Sequence, residues 1–125
     1  SLKTEIGSAT REELIRQRIM AERAFSQELE ALWQELKQRV GAEGKIEYWD
    51  FVGADTYEET VRRAYITSFL ATYGYATFEV HRLEEEIFIK PYERPISMLG
   101  NKQAVSIPIS VSVEEWKRWR ENRRD

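Results

Sequence analysis

The stretch that decides the fold is YGYATFEVHRLEEEIFIKPYE, residues 73–93. Before Gly74 apolar residues recur every three or four positions. After it they recur every second one: Ala76, Phe78 and Val80 fall on one side, and Thr77, Glu79 and His81 on the other. That change of period marks a helix handing over to a strand. Residues 82–85 read as a turn. Residues 86–90 read as a second strand, with Ile87 and Ile89 opposite Phe88, stopped by Pro91 and Pro95. So short a connection makes the two strands antiparallel.

Toward the C-terminus, AVSIPISVSV (104–113) alternates again, with Val105, Ile107, Ile109, Val111 and Val113 facing one way. It reads as a third late strand, and at an edge, because Pro108 has no amide hydrogen to give a neighbour. Gly100-Asn101 supplies a turn before it. Ser112-Val113-Glu114-Glu115 is a capping box that opens a last short helix.

Toward the N-terminus, Asp55 and Thr56 offer caps, with Glu58 and Glu59 at capping offsets, for a helix over 57–73. Val61, Ala64, Tyr65, Leu70 and Tyr73, broadened by Ile66 and Phe69, make it apolar on most sides, as in a buried helix. KIEYWDFVG (45–53) is aromatic and β-branched and reads as a short early strand. Upstream, residues 11–40 hold no proline or glycine and begin at a second capping box, Thr10 to Glu13. Phe25, Leu29, Leu32, Leu36 and Val40 form one stripe, which Leu14, Ala21 and Phe25 extend backwards and Ile15, Ile19 and Trp33 widen. A helix of that length is a rod of about 45 Å. A compact body of this size is about 35 Å across. The rod therefore either breaks near residues 22–24 or projects.

These elements predict an α+β fold in a single domain over 1–125. It has a long N-terminal helix, a second buried helix, a small antiparallel sheet of about three late strands with one early strand as a candidate addition, and a short C-terminal helix. Residues 1–9 are expected to be flexible or extraneous.

Composition narrows the function. The chain has 125 residues, 42% hydrophobic and 33% charged, which suits a packed core. The net charge of −3 argues against a global grip on nucleic acid. No cysteine is present, which excludes disulfides, thiolate catalysis and cysteine zinc sites. No apolar run is long enough for a membrane span, and no signal peptide is visible, so a cytoplasmic protein is expected. Abundant charge, no cysteine and only two asparagines suit a thermophile's composition.

No catalytic constellation emerges. His81 is the sole histidine and has no identifiable nucleophile beside it. Glu84-Glu85-Glu86 would diverge in a turn rather than converge on a metal. The six glycines form no phosphate loop. No metal or cofactor is therefore expected, and the chain is read as a non-enzymatic binding module.

Three surfaces are candidates. The first is a protein contact through Phe25, Leu29, Leu32 and Leu36 of the long helix and Trp116 and Trp119 of the last one. A projecting apolar stripe wants a partner, and the simplest is a second copy, so a homo-oligomer, a dimer above all, is expected. The second is a pocket for a small apolar ligand around Tyr65, Phe69, Tyr73 and Phe78. The stretch 73–93, a helix ending in glycine that feeds a hairpin, resembles the small-molecule-binding domains of the vinyl-reductase type. That resemblance is local, and residues after Pro95 lack that family's later pattern. The third is nucleic-acid contact through Arg118, Arg120, Arg123 and Arg124, beside the two tryptophans. SIPISVSVEEW is similar to the start of a ribbon-helix-helix DNA binder, which would need a further helix. The tail's acids lead and its bases follow, an order that the helix dipole favours without any ligand. Structural packing is thus the simpler account of the tail.

Overall fold

A computed structural model describes residues 2–96 and 109–124, with side chains over 10–96 and 109–123. Its elements run α1 (Leu2–Arg39), a 3-10 turn (Gly41–Glu43), β1 (Ile46–Glu47), α2 (Tyr48–Val52), α3 (Tyr57–Thr72), β2 (Ala76–His81), β3 (Glu86–Pro91) and α4 (Val113–Arg124). This is a helix-rich α+β fold with a three-stranded antiparallel sheet in the order β1-β3-β2.

The hairpin falls where the period change put it. Phe78 pairs with Ile89 and Val80 with Ile87, so the alternating apolar sets share one face of the sheet. Helices cover that face. On the other, Phe88 lies under the Lys45 ammonium, 4.6 Å from its ring centre, and beside His81. The helix-to-strand handover needs Gly74. It sits at φ 78°, where a side chain is strained, and a Cβ there would collide with the Ile96 carbonyl.

The sheet's third strand differs from expectation. Residues 104–108 of the expected late strand lie outside the described residues, and 109–112 belong to no helix or strand. The third place is taken by β1, through Ile46 opposite Ile89 and Glu47 opposite Phe88. Residues 48–52 are helical rather than extended. Glu47 caps α2 by accepting from the Asp50 amide at 3.1 Å. Tyr48, Phe51 and Val52, at i, i+3 and i+4, then bury one face of that short helix. Aromatic, β-branched composition favours strand, but a cap and a buried helical face outweigh it here.

α1 does not break. Its 38 residues make a continuous rod of about 57 Å. It passes through Thr10 instead of starting there. Among the described side chains only those of its C-terminal half pack: Leu29, Leu32, Trp33 and Leu36 are buried with Phe51, Val52, Leu70, Ala76 and Ile89 in one core. Residues 10–24 are exposed throughout.

α3 starts as expected, with the Thr56 hydroxyl accepting from the Glu59 amide at 3.1 Å. Its buried side is not the aromatic one. Thr60, Ala64, Ile66, Thr67 and Leu70 face the core, while Val61, Tyr65 and Tyr73 are exposed. The two threonines occupy the inner face and turn the tyrosines outward. α4 begins at a reciprocal capping box: Ser112 Oγ accepts from the Glu115 amide at 3.1 Å, and the Ser112 amide donates to Glu115 Oε1 at 3.4 Å.

Candidate functional site

The expected protein-contact residues separate. Leu29, Leu32 and Leu36 are consumed by this chain's own core, at 5, 8 and 0% exposure, since α3 and the sheet fill that side of α1. Phe25 marks the edge of the body, its ring 5.1 Å from Phe69 and edge-on to it. Beyond it the same helix carries Leu14, Ile15, Ile19 and Met20, all more than half exposed. At 3.6 residues per turn, Leu14 and Ile15 continue the face of Leu32 and Trp33, with Ile19 at its margin. Arg18 and Glu22 sit in the middle of that face and pair at 3.5 Å. In the sequence Leu14 extends the stripe backwards and Ile15 and Ile19 widen it, while Met20 stands outside it.

Where α1 leaves the body it borders a groove of about 370 Å³, lined by Glu22, Phe25, Ser26, Leu29, Tyr73 and Tyr75. Tyr75 packs on Trp33 at 5.0 Å, and the Trp33 indole donates to the Tyr92 carbonyl at 3.0 Å. The groove wall is thus fixed from behind by buried aromatics.

The four aromatics expected to form one ligand pocket do not converge. Tyr65, Phe69 and Tyr73 make an outward ladder along α3, with ring centres 5.2 and 6.1 Å apart in succession. Tyr73 lines the groove beside α1. Tyr65 and Phe78 instead line a separate cavity of about 290 Å³, with Tyr48, Tyr57, Val61, Ala64, Ser68, Ile109 and Val111. Tyr57 donates to the Val111 carbonyl at 2.8 Å and so ties the return of the chain to α3. Burial, with the nearby Glu115 charge, pushes the Tyr48 hydroxyl up to about 12, so it remains a neutral donor in the cavity wall. In the sequence Tyr48 lies just upstream of the aromatic cluster; its helical spacing with Phe51 and Val52 was the signal that a strand over 45–53 left unused.

Trp116 and Trp119 cover this chain's own α2 and the loop after it. Trp116 is buried, and its indole donates to the Ala54 carbonyl at 2.9 Å. Trp119 donates to Asp50 Oδ1 at 3.2 Å and lies over Gly53, where a Cβ would run into the indole. Arg120 and Arg123 lie over the Trp116 and Trp119 rings at 5.2 and 5.1 Å, Arg118 is exposed, and Arg124 ends the helix.

Charge chemistry is structural in kind. Burial tends to raise the Glu35 carboxyl, but hydrogen bonds and charge from Arg63 and Arg39 outweigh it and hold it below its ordinary value. Burial raises the Glu47 carboxyl, against the pull of the Asp50 and Trp49 amides. His81 meets Glu79 at 2.9 Å, and that hydrogen bond, opposed by a small burial effect, lowers the Glu79 carboxyl. Among the described residues, no group of three or more His, Asp or Glu is placed to hold a metal ion, and no helix is long and apolar enough to cross a membrane. No family model, curated protein or solved structure matches the chain.

Proposed function

We propose that this chain is a non-enzymatic, self-associating binding module whose contact element is the projecting half of α1. The observation that carries the reading is the exposure of Leu14, Ile15, Ile19 and Met20, at 60, 54, 52 and 64%, on a helix that continues beyond its own body. Apolar side chains left uncovered on a projecting helix make it a candidate interaction site. The cytoplasm suits such a cysteine-free module. Light scattering over a concentration series tests the reading. The expected mass exceeds the 14.8 kDa of one chain and returns to it when Leu14, Ile15 and Ile19 are replaced together by serine. A strict monomer at high concentration sinks it.

A second reading rests on the cavity between α3 and the returning chain. Its aromatic lining with a few hydroxyls suits a small, mostly apolar ligand. A ligand that binds only the folded state raises the melting temperature. A broad aromatic and apolar screen with no shift removes this reading. Arg120 and Arg123 lying along indole faces favours packing over nucleic-acid contact for α4.

A further inference from the structure

We infer that the cavity between α2, α3 and β2 takes a small neutral ligand, apolar but for one hydrogen-bond-accepting oxygen, to which the Tyr48 hydroxyl donates. This rests on the small-ligand reading above and specifies the ligand's chemistry and the group that orients it.

Among the described residues four hydroxyls line the cavity, on Tyr48, Tyr57, Tyr65 and Ser68. Tyr57 donates to the Val111 carbonyl at 2.8 Å, and Ser68 donates to the Tyr65 carbonyl at 2.6 Å. Tyr65 is 61% exposed and reaches water at the rim. Tyr48 is only 3% exposed, yet among the described residues its hydroxyl has no hydrogen-bond partner. It is not sealed in, as Thr67 Oγ1 is, so its remaining access is to the cavity. A ligand that fills the cavity displaces water from this hydroxyl and must supply an acceptor in its place, since a buried hydroxyl left unmatched is costly.

Packing fixes the donor. Tyr48 lies on the buried face of α2, and the Phe78 ring meets it edge-on at 6.3 Å. The cavity, about 290 Å³, stands at the lower end of the range for small-molecule sites, about 300–1,000 Å³, so its occupant is small. Charge selects a neutral one. No Lys, Arg, Asp or Glu is among the described lining residues, so an ion would enter unpaired, at high cost. Burial, and then the nearby Glu115 charge, keep the proton on Tyr48, and the same negative charge opposes an anion. A cation gives the Tyr48 O–H nothing to donate to.

The test titrates the full-length chain and Tyr48→Phe with four single-ring probes: acetophenone, isopropylbenzene, benzoate and phenyltrimethylammonium. Dissociation constants come from ligand-observed NMR, and circular dichroism verifies that the variant folds. Acetophenone is expected to bind the parent, and its dissociation constant to rise about fivefold or more in Tyr48→Phe, as loss of one buried hydrogen bond requires. Isopropylbenzene, which has no acceptor, should bind the variant at least as well as the parent. Neither ion should compete with acetophenone. Equal acetophenone affinity for parent and variant overturns the role of Tyr48 while the cavity reading stands. Tighter binding of either ion than of acetophenone overturns the neutral ligand class. If none of the four binds, the inference and the cavity reading fall together.

Discussion

Thr60 and Thr67 lie two turns apart on the inner side of α3, and both are fully buried. Their hydroxyls do opposite things. Thr60 Oγ1 accepts from the Ala54 amide at 2.9 Å and donates to the Thr56 carbonyl at 2.9 Å, so it fastens the loop after α2 to the first turn of α3. Thr67 Oγ1 is buried with no hydrogen-bond partner. Valine has nearly the same shape without the hydroxyl. Thr60→Val leaves the Ala54 amide unsatisfied and is expected to cost about 1–3 kcal/mol in urea unfolding. Thr67→Val removes an unmet polar group and is expected to be neutral or stabilising, within about 1 kcal/mol. Equal losses at the two positions would contradict this. The sequence showed neither role. Reading only apolar residues at helical spacing credited Tyr65 and Tyr73 with the buried side, whereas two threonines hold it.

The elements that were legible in the sequence are those whose start is written locally. Thr56 and Ser112 cap α3 and α4 by bonds reaching three residues, and the hairpin follows from a two-residue period on either side of a turn. α2 was illegible because its composition argues for strand and its cap is a lone glutamate. The docking of α4 depends on contacts 62 and 69 residues away in sequence, from Trp116 to Ala54 and from Trp119 to Asp50. No local pattern encodes them. The seat of Trp119 is Gly53, whose missing Cβ leaves room for the indole. Gly53→Ala is expected to push Trp119 off Asp50 and cost about 1–3 kcal/mol, as overpacking does. In a Trp119→Ala background the same change should cost almost nothing. A double-mutant cycle measures the difference, and additive losses would refute the contact.

At the scale of the molecule, a long helix is held to a small body by α3 and by ion pairs from Glu35 to Arg63 and from Glu28 to Arg62. The Glu35 carboxyl is raised by burial but lowered overall, below its ordinary value, by Arg63 and Arg39. Its folded value therefore lies under its unfolded one. Its contribution is complete above the unfolded value and is lost as pH falls through the folded one. Glu47 has the opposite sign: its raised carboxyl favours folding at low pH, and that benefit is lost as pH rises. Comparison with Glu35→Gln isolates the first effect. The parent chain is expected to be the more stable near neutrality, and the gap should narrow as the pH falls below the ordinary glutamate range. A gap that stays constant down the acid limb would rule it out. That α1 either breaks or outruns the body was legible from length alone; that it stays continuous was not. Which half stays uncovered was not, because the stripe looks alike along its length and only the reach of α3 decides where cover ends.

The docking of α4 gives the protein an optical label of its own. Trp49 and Trp119 lie with ring centres 6.4 Å apart. Indoles so close couple their ultraviolet transitions and imprint a paired band on the circular dichroism. That band depends on α4 staying in place and disappears when it lifts. Trp33, buried in the core at 6% exposure, reports the core by emission instead, while Trp116 moves with α4. All four tryptophans lie outside residues 10–24. Light therefore follows the body's folding and the latching of its last helix separately, without an added dye, and none of its indole sources lies on the projecting rod.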